Sequence, residues 1–166
     1  MGRIPNLDIQ AGGLGPDIES LYIYEAALQN INESTFGGLS GLRVLGLREV
    51  TFPAFNNNNN EAAAAAAPLS VFPKKQLDLA DLRLIGCNLG TVYGRLIRCA
   101  ADHVELHANI MTLMAENAVQ IVSKGRLEVS GNRFLGEEWG VIRLTPLLNL
   151  TLDGNSFEGN RSNMLK

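Results

Sequence analysis

The 166-residue sequence has few cysteines, little net charge and no long apolar run. Two cysteines, Cys87 and Cys99, are too few for a disulfide framework and lack zinc-ligand spacing, so we interpret them as small buried hydrophobic residues. Their redox state stays open. A net charge of −3 indicates neither a nucleic-acid-binding patch nor a basic membrane-binding face. Without a run of about 18 apolar residues, no membrane insertion by this segment is predicted.

Motifs for nucleotides, cofactors and nucleophilic catalysis are also missing. The sequence contains no G-x-x-x-x-G-K-[ST], no G-x-G-x-x-G and no Ser-His-Asp arrangement. His103, Glu105 and His107 resemble a metal-binding trio, but alternate residues of a strand lie about 6 to 7 Å apart, too far for shared ligation. We therefore predict no metal, no cofactor and no enzymatic activity.

One spacing recurs along most of the chain. Residues 147–157 carry apolar side chains at offsets 0, 3, 5 and 10 and an asparagine at offset 8. The same template fits five further segments, which begin at Ile18, Leu42, Leu79, Ala101 and Lys124. Apart from one longer step, successive copies begin at a nearly constant interval, and self-similarity with a period in this range predicts a solenoid.

The positions of the template have different expected roles. Residues at offsets 3 and 5 should point inward from a short strand, whereas those at offsets 2, 4 and 6 should face outward. An asparagine at offset 8 can bond to backbone groups that a turn leaves unpaired, so stacked copies should form a ladder. Asn109, Asn132 and Asn155 occupy this position in three copies. The ladder should be interrupted where the position holds another residue: Ala26, Val50 and Cys87.

The template L-x-x-L-x-L-x-x-N-x-L resembles the leucine-rich repeat family, most closely in the copies that begin at Ile18 and Leu42. The resemblance spans roughly residues 18–157. It implies a β-rich right-handed solenoid of about six coils with parallel short strands. It also implies a non-enzymatic protein-recognition module in a secreted or cell-surface receptor or adhesion protein.

A right-handed parallel β-helix stays open as the alternative fold. Residues 94–99, 119–122 and 141–144, in the second halves of the later coils, have the composition of strands more than of helices. A solenoid of this kind would bind polysaccharide or act on it.

The template also divides the chain. Residues 1–17 contain a partial or edge coil, and residues 18–166 form a single solenoid domain. The step from Leu42 to Leu79 is much longer than the others, and residues 56–68 are a low-complexity block of asparagine, alanine, one glutamate and one proline. Removing this block restores the interval that separates Ile18 from Leu42, so we predict a loop there. No capping segment is evident, so we expect the ends to be uncapped and to permit oligomerisation.

Stacked in register, the outward positions form an open strand face with mixed charge. Tyrosine and arginine are effective anchors at protein interfaces, so we predict that a protein ligand binds this face. The candidate binding residues are Tyr22, Tyr24, Arg48, Asp81, Arg83, His103, Glu105, His107, Arg126 and Glu128. Two alternatives stay open: paired carboxylates that perform acid–base catalysis, and a solvated surface with no role.

Three Asn-x-Ser/Thr acceptors are candidates for glycosylation: Asn32, Asn149 and Asn160. Together with the resemblance, they favour an extracellular or cell-surface location, although a cytoplasmic location stays open. A glycan at Asn149 would obstruct the open face, so either this acceptor is unused or the face is not the site.

Overall fold

The computed structural model describes residues 6–8, 14–29, 38–52, 77–92, 96–113, 118–136 and 142–159. Within these ranges the chain forms thirteen strands and no helix. The strands are β1 (Asn6–Asp8), β2 (Ser20–Tyr24), β3 (Ala27–Gln29), β4 (Val44–Arg48), β5 (Leu77–Ile85), β6 (Asn88–Val92), β7 (Ile97–His107), β8 (Ile110–Leu113), β9 (Val119–Ser130), β10 (Arg133–Gly136), β11 (Ile142–Pro146), β12 (Asn149–Asp153) and β13 (Ser156–Glu158).

The strands stack into two main parallel sheets. The first sheet has the order β11-β9-β7-β5-β4-β2, and β12 also pairs with β9. The second has the order β13-β10-β8-β6, while β1, inside the predicted edge segment, pairs with β3. Every pairing is parallel, and neighbouring strands come from successive passes of the chain. The protein is therefore a parallel β-solenoid, as the repeat predicts.

The number of coils is lower than predicted. About four turns contribute a strand to each of the two main sheets, and these turns begin with β5, β7, β9 and β12. The coil of β4 returns through isolated bridges at Thr51, which joins Ala27 of β3 on one side and Asn88 of β6 on the other, and β3 otherwise forms a two-stranded sheet with β1. The predicted number of six is too high because the template occurs six times but describes only the strand in the first sheet. It does not predict whether the second half of a coil forms a strand that pairs with its neighbours.

The register follows the predicted template. Along one row of the first sheet, Ser20 pairs with Val44, Val44 with Asp81, and Asp81 with His103. The step from Val44 to Asp81 exceeds the step from Ser20 to Val44 by the length of the low-complexity block. The block itself, residues 56–68, lies outside the described residues.

The core lies between the two sheets and includes the inward residues at offsets 3 and 5 of the described coils before the last. Leu45, Leu82 and Val104 are each 0% exposed. Burying a side chain of this size stabilises the fold by about 1.5 to 3 kcal/mol. The last coil differs, since Leu150 and Leu152 at the same offsets are 44% and 45% exposed. Among the described strands, none covers the outer side of β12.

Each coil turns from the first sheet towards the second at offset 7, where the backbone has a positive φ. The φ values are 48° at Glu25, 54° at Glu49, 63° at Gly86, 54° at Ala108, 63° at Gly131 and 60° at Gly154. This left-handed conformation suits glycine but is strained for residues with a Cβ atom. The turn is therefore set by the solenoid geometry, and three coils adopt it without glycine.

The predicted asparagine ladder follows this turn. The Asn132 side-chain oxygen accepts hydrogen bonds from the Asn109 backbone N–H and side-chain amide, both at 2.9 Å. Asn155 accepts in the same way from Asn132, at 3.0 and 2.9 Å. Each asparagine also donates to a carbonyl of the preceding coil, such as Leu106 O at 2.8 Å for Asn132. Asn109 and Asn132 are almost fully buried, so the ladder satisfies polar groups that water does not reach.

The ladder continues one step beyond the expected interruption at Cys87. The Cys87 thiol donates to Leu47 O at 3.4 Å, and its backbone N–H donates to Asn109 Oδ1 at 2.9 Å. A thiol thus replaces the amide as a weak donor. Both cysteines are buried, as predicted, and both are free, which the sequence left open. Burial raises the pKa of the Cys87 thiol and raises that of Cys99 to about 12.

Candidate functional site

The open strand face is the outward side of the first sheet at offsets 2, 4 and 6 of each template strand. Side chains alternate along a strand, so burying offsets 3 and 5 turns the intervening residues towards solvent. Parallel pairing in register then aligns equivalent offsets of neighbouring coils in rows about 4.8 Å apart. All ten candidate residues lie on this face, and they are exposed or half-buried.

An acidic residue and two bases form the centre of the face. The Arg83 guanidinium donates from Nε to Asp81 Oδ1 at 3.1 Å, and its Nη2 lies 2.8 Å from Asp81 Oδ2. This pairing raises the pKa of Arg83 above its ordinary value. His103 Nδ1 lies 3.4 Å from Asp81 Oδ1, while its Nε2 is buried without a hydrogen-bond partner among the described residues. Asp81 therefore holds Arg83 and His103 in one cluster across two strands.

A second charged group lies beside this cluster. Glu105 pairs in register with Arg83 on one side and Glu128 on the other. Two carboxylates directly opposite each other destabilise neighbouring strands unless cations compensate. Arg126 contacts Glu128 in an ion pair, and Arg83 lies opposite Glu105. Along this row the charge is therefore positive at Arg83 and negative at Glu105 and Glu128, and the two carboxylates lie on adjacent strands.

The tyrosines occupy the β2 end of the face. Tyr22 and Tyr24 are 51% and 57% exposed, and their parallel rings have centroids 6.1 Å apart. Tyr22 lies over Gly46 on the next strand, where a Cβ atom would stand 2.6 Å from its ring. Arg48 is the register partner of Tyr24, and its Nε atom lies 3.5 Å from Glu49 Oε1. Glycine at position 46 thus makes room for an exposed aromatic platform.

The two histidines do not converge. His107 Nδ1 lies 2.8 Å from Ser130 Oγ on the neighbouring strand, whereas His103 faces Asp81. In the part of the chain that the structure describes, no group of three or more histidine, cysteine, aspartate or glutamate side chains is arranged to hold a metal ion.

The glycosylation candidates fall in different places. Asn149 is exposed at the start of β12, and its register partner is Arg126 of the open face. A glycan there would cover the β12 end of the face. Asn32 and Asn160 lie outside the described residues.

Two features are not among the predicted site residues. One is a groove on the first halves of β7 and β9 and on β11, where Arg98, Gln120 and Arg143 pair in register. The sequence contains a signal from which this groove could have been found. These segments have the composition of strands, and the alternation of side chains along a strand would have placed all three side chains outward. The other is the strained turn at offset 7, which glycine marks in only three coils.

Comparison of the chain with protein-family models, with curated proteins and with solved structures finds no match. Of the described residues, none forms a helix with the length and hydrophobicity needed to cross a bilayer.

Proposed function

We propose that this protein is a non-enzymatic recognition module that binds a partner protein on its open strand face. One observation carries the proposal: five neighbouring strands align ten polar and aromatic side chains in register on an accessible surface. Tyr22 and Tyr24 supply exposed aromatic area, and arginines are frequent anchors at interfaces. Ion pairs within the face, such as Asp81 with Arg83, restrain charged side chains before a partner arrives, which reduces the entropy lost on binding.

The proposal includes membership of the leucine-rich repeat family and a location outside the cell or at its surface. The repeated template and the asparagine ladder support the family assignment. The Asn-x-Ser/Thr sequences at Asn32, Asn149 and Asn160 support the location and a glycoprotein.

A parallel β-helix that binds or acts on polysaccharide is the second candidate. It is favoured by the second sheet, because β6, β8, β10 and β13 are strands where a helical return would be typical of leucine-rich repeats. The neighbouring carboxylates of Glu105 and Glu128 could serve acid–base chemistry in that case.

A binding screen on purified ligands tests the proposal. The chain is applied to an array of purified extracellular protein domains and to a polysaccharide array. We expect binding to a protein domain that weakens at least about tenfold in the Tyr22→Ser/Tyr24→Ser variant, because aromatic anchors at an interface contribute about 1 kcal/mol or more each. Ile110→Ser, on β8 of the second sheet and 44% exposed, is the control and should bind normally.

Two results would contradict the proposal. One is equal binding by the tyrosine variant and the wild-type chain. The other is retention on polysaccharide alone, with release of reducing ends that Glu105→Gln or Glu128→Gln abolishes, which would establish the second candidate.

A further inference from the structure

A groove of about 350 Å³ lies beside the open face, on the first halves of β7 and β9 and on β11. It is lined by Arg98, Cys99, Gln120, Ile121, Val122, Arg143 and Thr145. The side chains of Cys99 and Ile121 are buried in the core, so these residues line the groove with their main chain. The side chains that remain are two arginines, an amide, a hydroxyl and one valine.

The polar side chains of the groove come from three adjacent strands in register. Arg98 on β7 pairs with Gln120 on β9, which pairs with Arg143 on β11. The two arginine backbones are thus two strand spacings apart, roughly 9.6 Å. An arginine side chain is longer than half of that distance, so both guanidinium groups can reach a group bound above Gln120.

The charge of the groove is unbalanced. Among the described residues, its lining contains no aspartate or glutamate, and neither Arg98 nor Arg143 forms a salt bridge. By contrast, Arg83 and Arg126 on the open face have carboxylate partners. Asp78 lies in the row of Val122, next to the row of Arg98, but its Oδ1 atom forms a salt bridge with Lys124 Nζ at 2.6 Å and not with either arginine of the groove. The chain has a net charge of −3, so two cations in one concave site without a carboxylate partner among the described residues are unusual for it.

We propose that this groove binds a small ligand that carries an oxyanion, with Arg98 and Arg143 as the charged donors. Planar guanidinium groups donate two parallel hydrogen bonds to carboxylate, phosphate or sulfate. Gln120 donates from its amide between them, and the Thr145 hydroxyl borders the same groove. The volume is at the lower end of the range for small-molecule sites and accommodates a ligand of the size of a sugar acid or sugar phosphate. The proposal does not depend on protein binding at the open face.

Titration calorimetry with four ligands that share one sugar ring tests the site. Glucose 6-phosphate, glucose 6-sulfate and glucuronate differ in the oxyanion, and glucose lacks one. We expect at least one anionic ligand to bind with a Kd of about 1 mM or tighter, and glucose to show no binding. The ranking of the three anions identifies which oxyanion the groove prefers. Binding should weaken as salt is raised, because the groups are exposed to solvent.

Arginine variants separate a specific site from general charge attraction. Arg98→Gln and Arg143→Gln should each weaken binding at least about tenfold, and Arg98→Lys should weaken it less because the charge is retained. Arg133→Gln is the matched control, since it removes the same charge from the second sheet, where Arg133 pairs with Glu158 at 2.9 Å. Absence of anion binding, or equal weakening by Arg133→Gln and Arg98→Gln, would overturn the proposal. Far-UV circular dichroism confirms that each variant is folded.

Discussion

At the scale of single residues, offset 7 is the most demanding position of each coil. All six template copies have a positive φ there, and Glu25, Glu49 and Ala108 have a Cβ atom. A left-handed conformation costs a residue with a Cβ atom about 1 to 2 kcal/mol. The strain is tolerated because the bonds on both sides of the turn fix the backbone: Ala108 N donates to Ser130 O at 2.9 Å.

Replacing Ala108 by glycine should stabilise the protein. Ala108 is exposed, so no core packing is lost. Relief of strain should raise the free energy of unfolding by about 0.5 to 1 kcal/mol, after allowing for the greater flexibility of glycine in the unfolded chain. Urea denaturation followed by circular dichroism measures the change.

Gly131→Ala is the matched opposite substitution at the same position of the next coil. It should lower the free energy of unfolding by about 0.5 to 1 kcal/mol, because φ is 63° there and the strain is offset in part by the lower flexibility of alanine in the unfolded chain. A destabilising effect of Ala108→Gly would show that the alanine methyl group contributes contacts that outweigh the strain.

At the scale of strands, the coils are held together by side-chain ladders in addition to backbone pairing. Asn132 is 1% exposed and connects three coils, because it accepts from Asn109, donates to Leu106 O and donates to Asn155. On the outward side, exposed pairs such as Arg133 with Glu158 add little, since water screens their charges and holding two long side chains in one geometry costs entropy. The buried ladder is therefore the stronger determinant of how the coils stack.

Asn132→Ala should destabilise the solenoid strongly. The Asn109 backbone N–H and the Leu106 carbonyl would lose their side-chain partner in a buried site, at a cost of roughly 1 to 3 kcal/mol each. We expect a loss of about 3 kcal/mol in urea denaturation. Asn149→Ala, an exposed asparagine on β12, is the control and should change stability by less than about 0.5 kcal/mol. Similar effects of both substitutions would argue against the ladder.

At the scale of the whole molecule, the long step between β4 and β5 shows that the solenoid tolerates an insertion. Val44 and Asp81 are paired in register although they lie much farther apart in the sequence than other register partners, such as Ser20 with Val44. Loop-closure entropy rises only slowly with length, by about 0.6 kcal/mol for each doubling. An insertion of the length of residues 56–68 is therefore compatible with unchanged stacking.

Deletion of residues 56–68 should leave the fold intact. The step between β4 and β5 would then equal the step between β2 and β4. We expect an unchanged β-rich far-UV spectrum and a free energy of unfolding within about 1 kcal/mol of the wild-type value. Deletion of residues 77–89, a segment of equal length that contains β5, is the control and should abolish the fold. Unfolding of the first variant would mean that the block itself is needed for pairing.

Among the described residues, several apolar side chains on and near β12 and β13 are exposed. Leu147, Leu148, Leu150, Leu152 and Phe157 are 42% to 74% exposed. An uncovered strand edge with apolar side chains is a common route to association. Oligomerisation through the ends stays a prediction, as do the protein ligand, the glycosylation and the extracellular location.

The amino-acid sequence by itself determined the parallel solenoid, its register and the buried positions. These follow from the alternation of apolar and polar side chains along each strand and from a template that occurs six times in the chain. It also placed all ten candidate residues on one face, since stacking in register carries each offset to the same side. Only the tertiary structure decided which neighbouring side chains form contacts, such as Asp81 with both Arg83 and His103. It also showed that the Cys87 thiol donates to Leu47 O and that Arg98, Gln120 and Arg143 line one groove. It also decided that about four turns have strands on both sheets. These features depend on side-chain conformation, on strand ends and on whether a following coil covers a surface, none of which a local pattern contains.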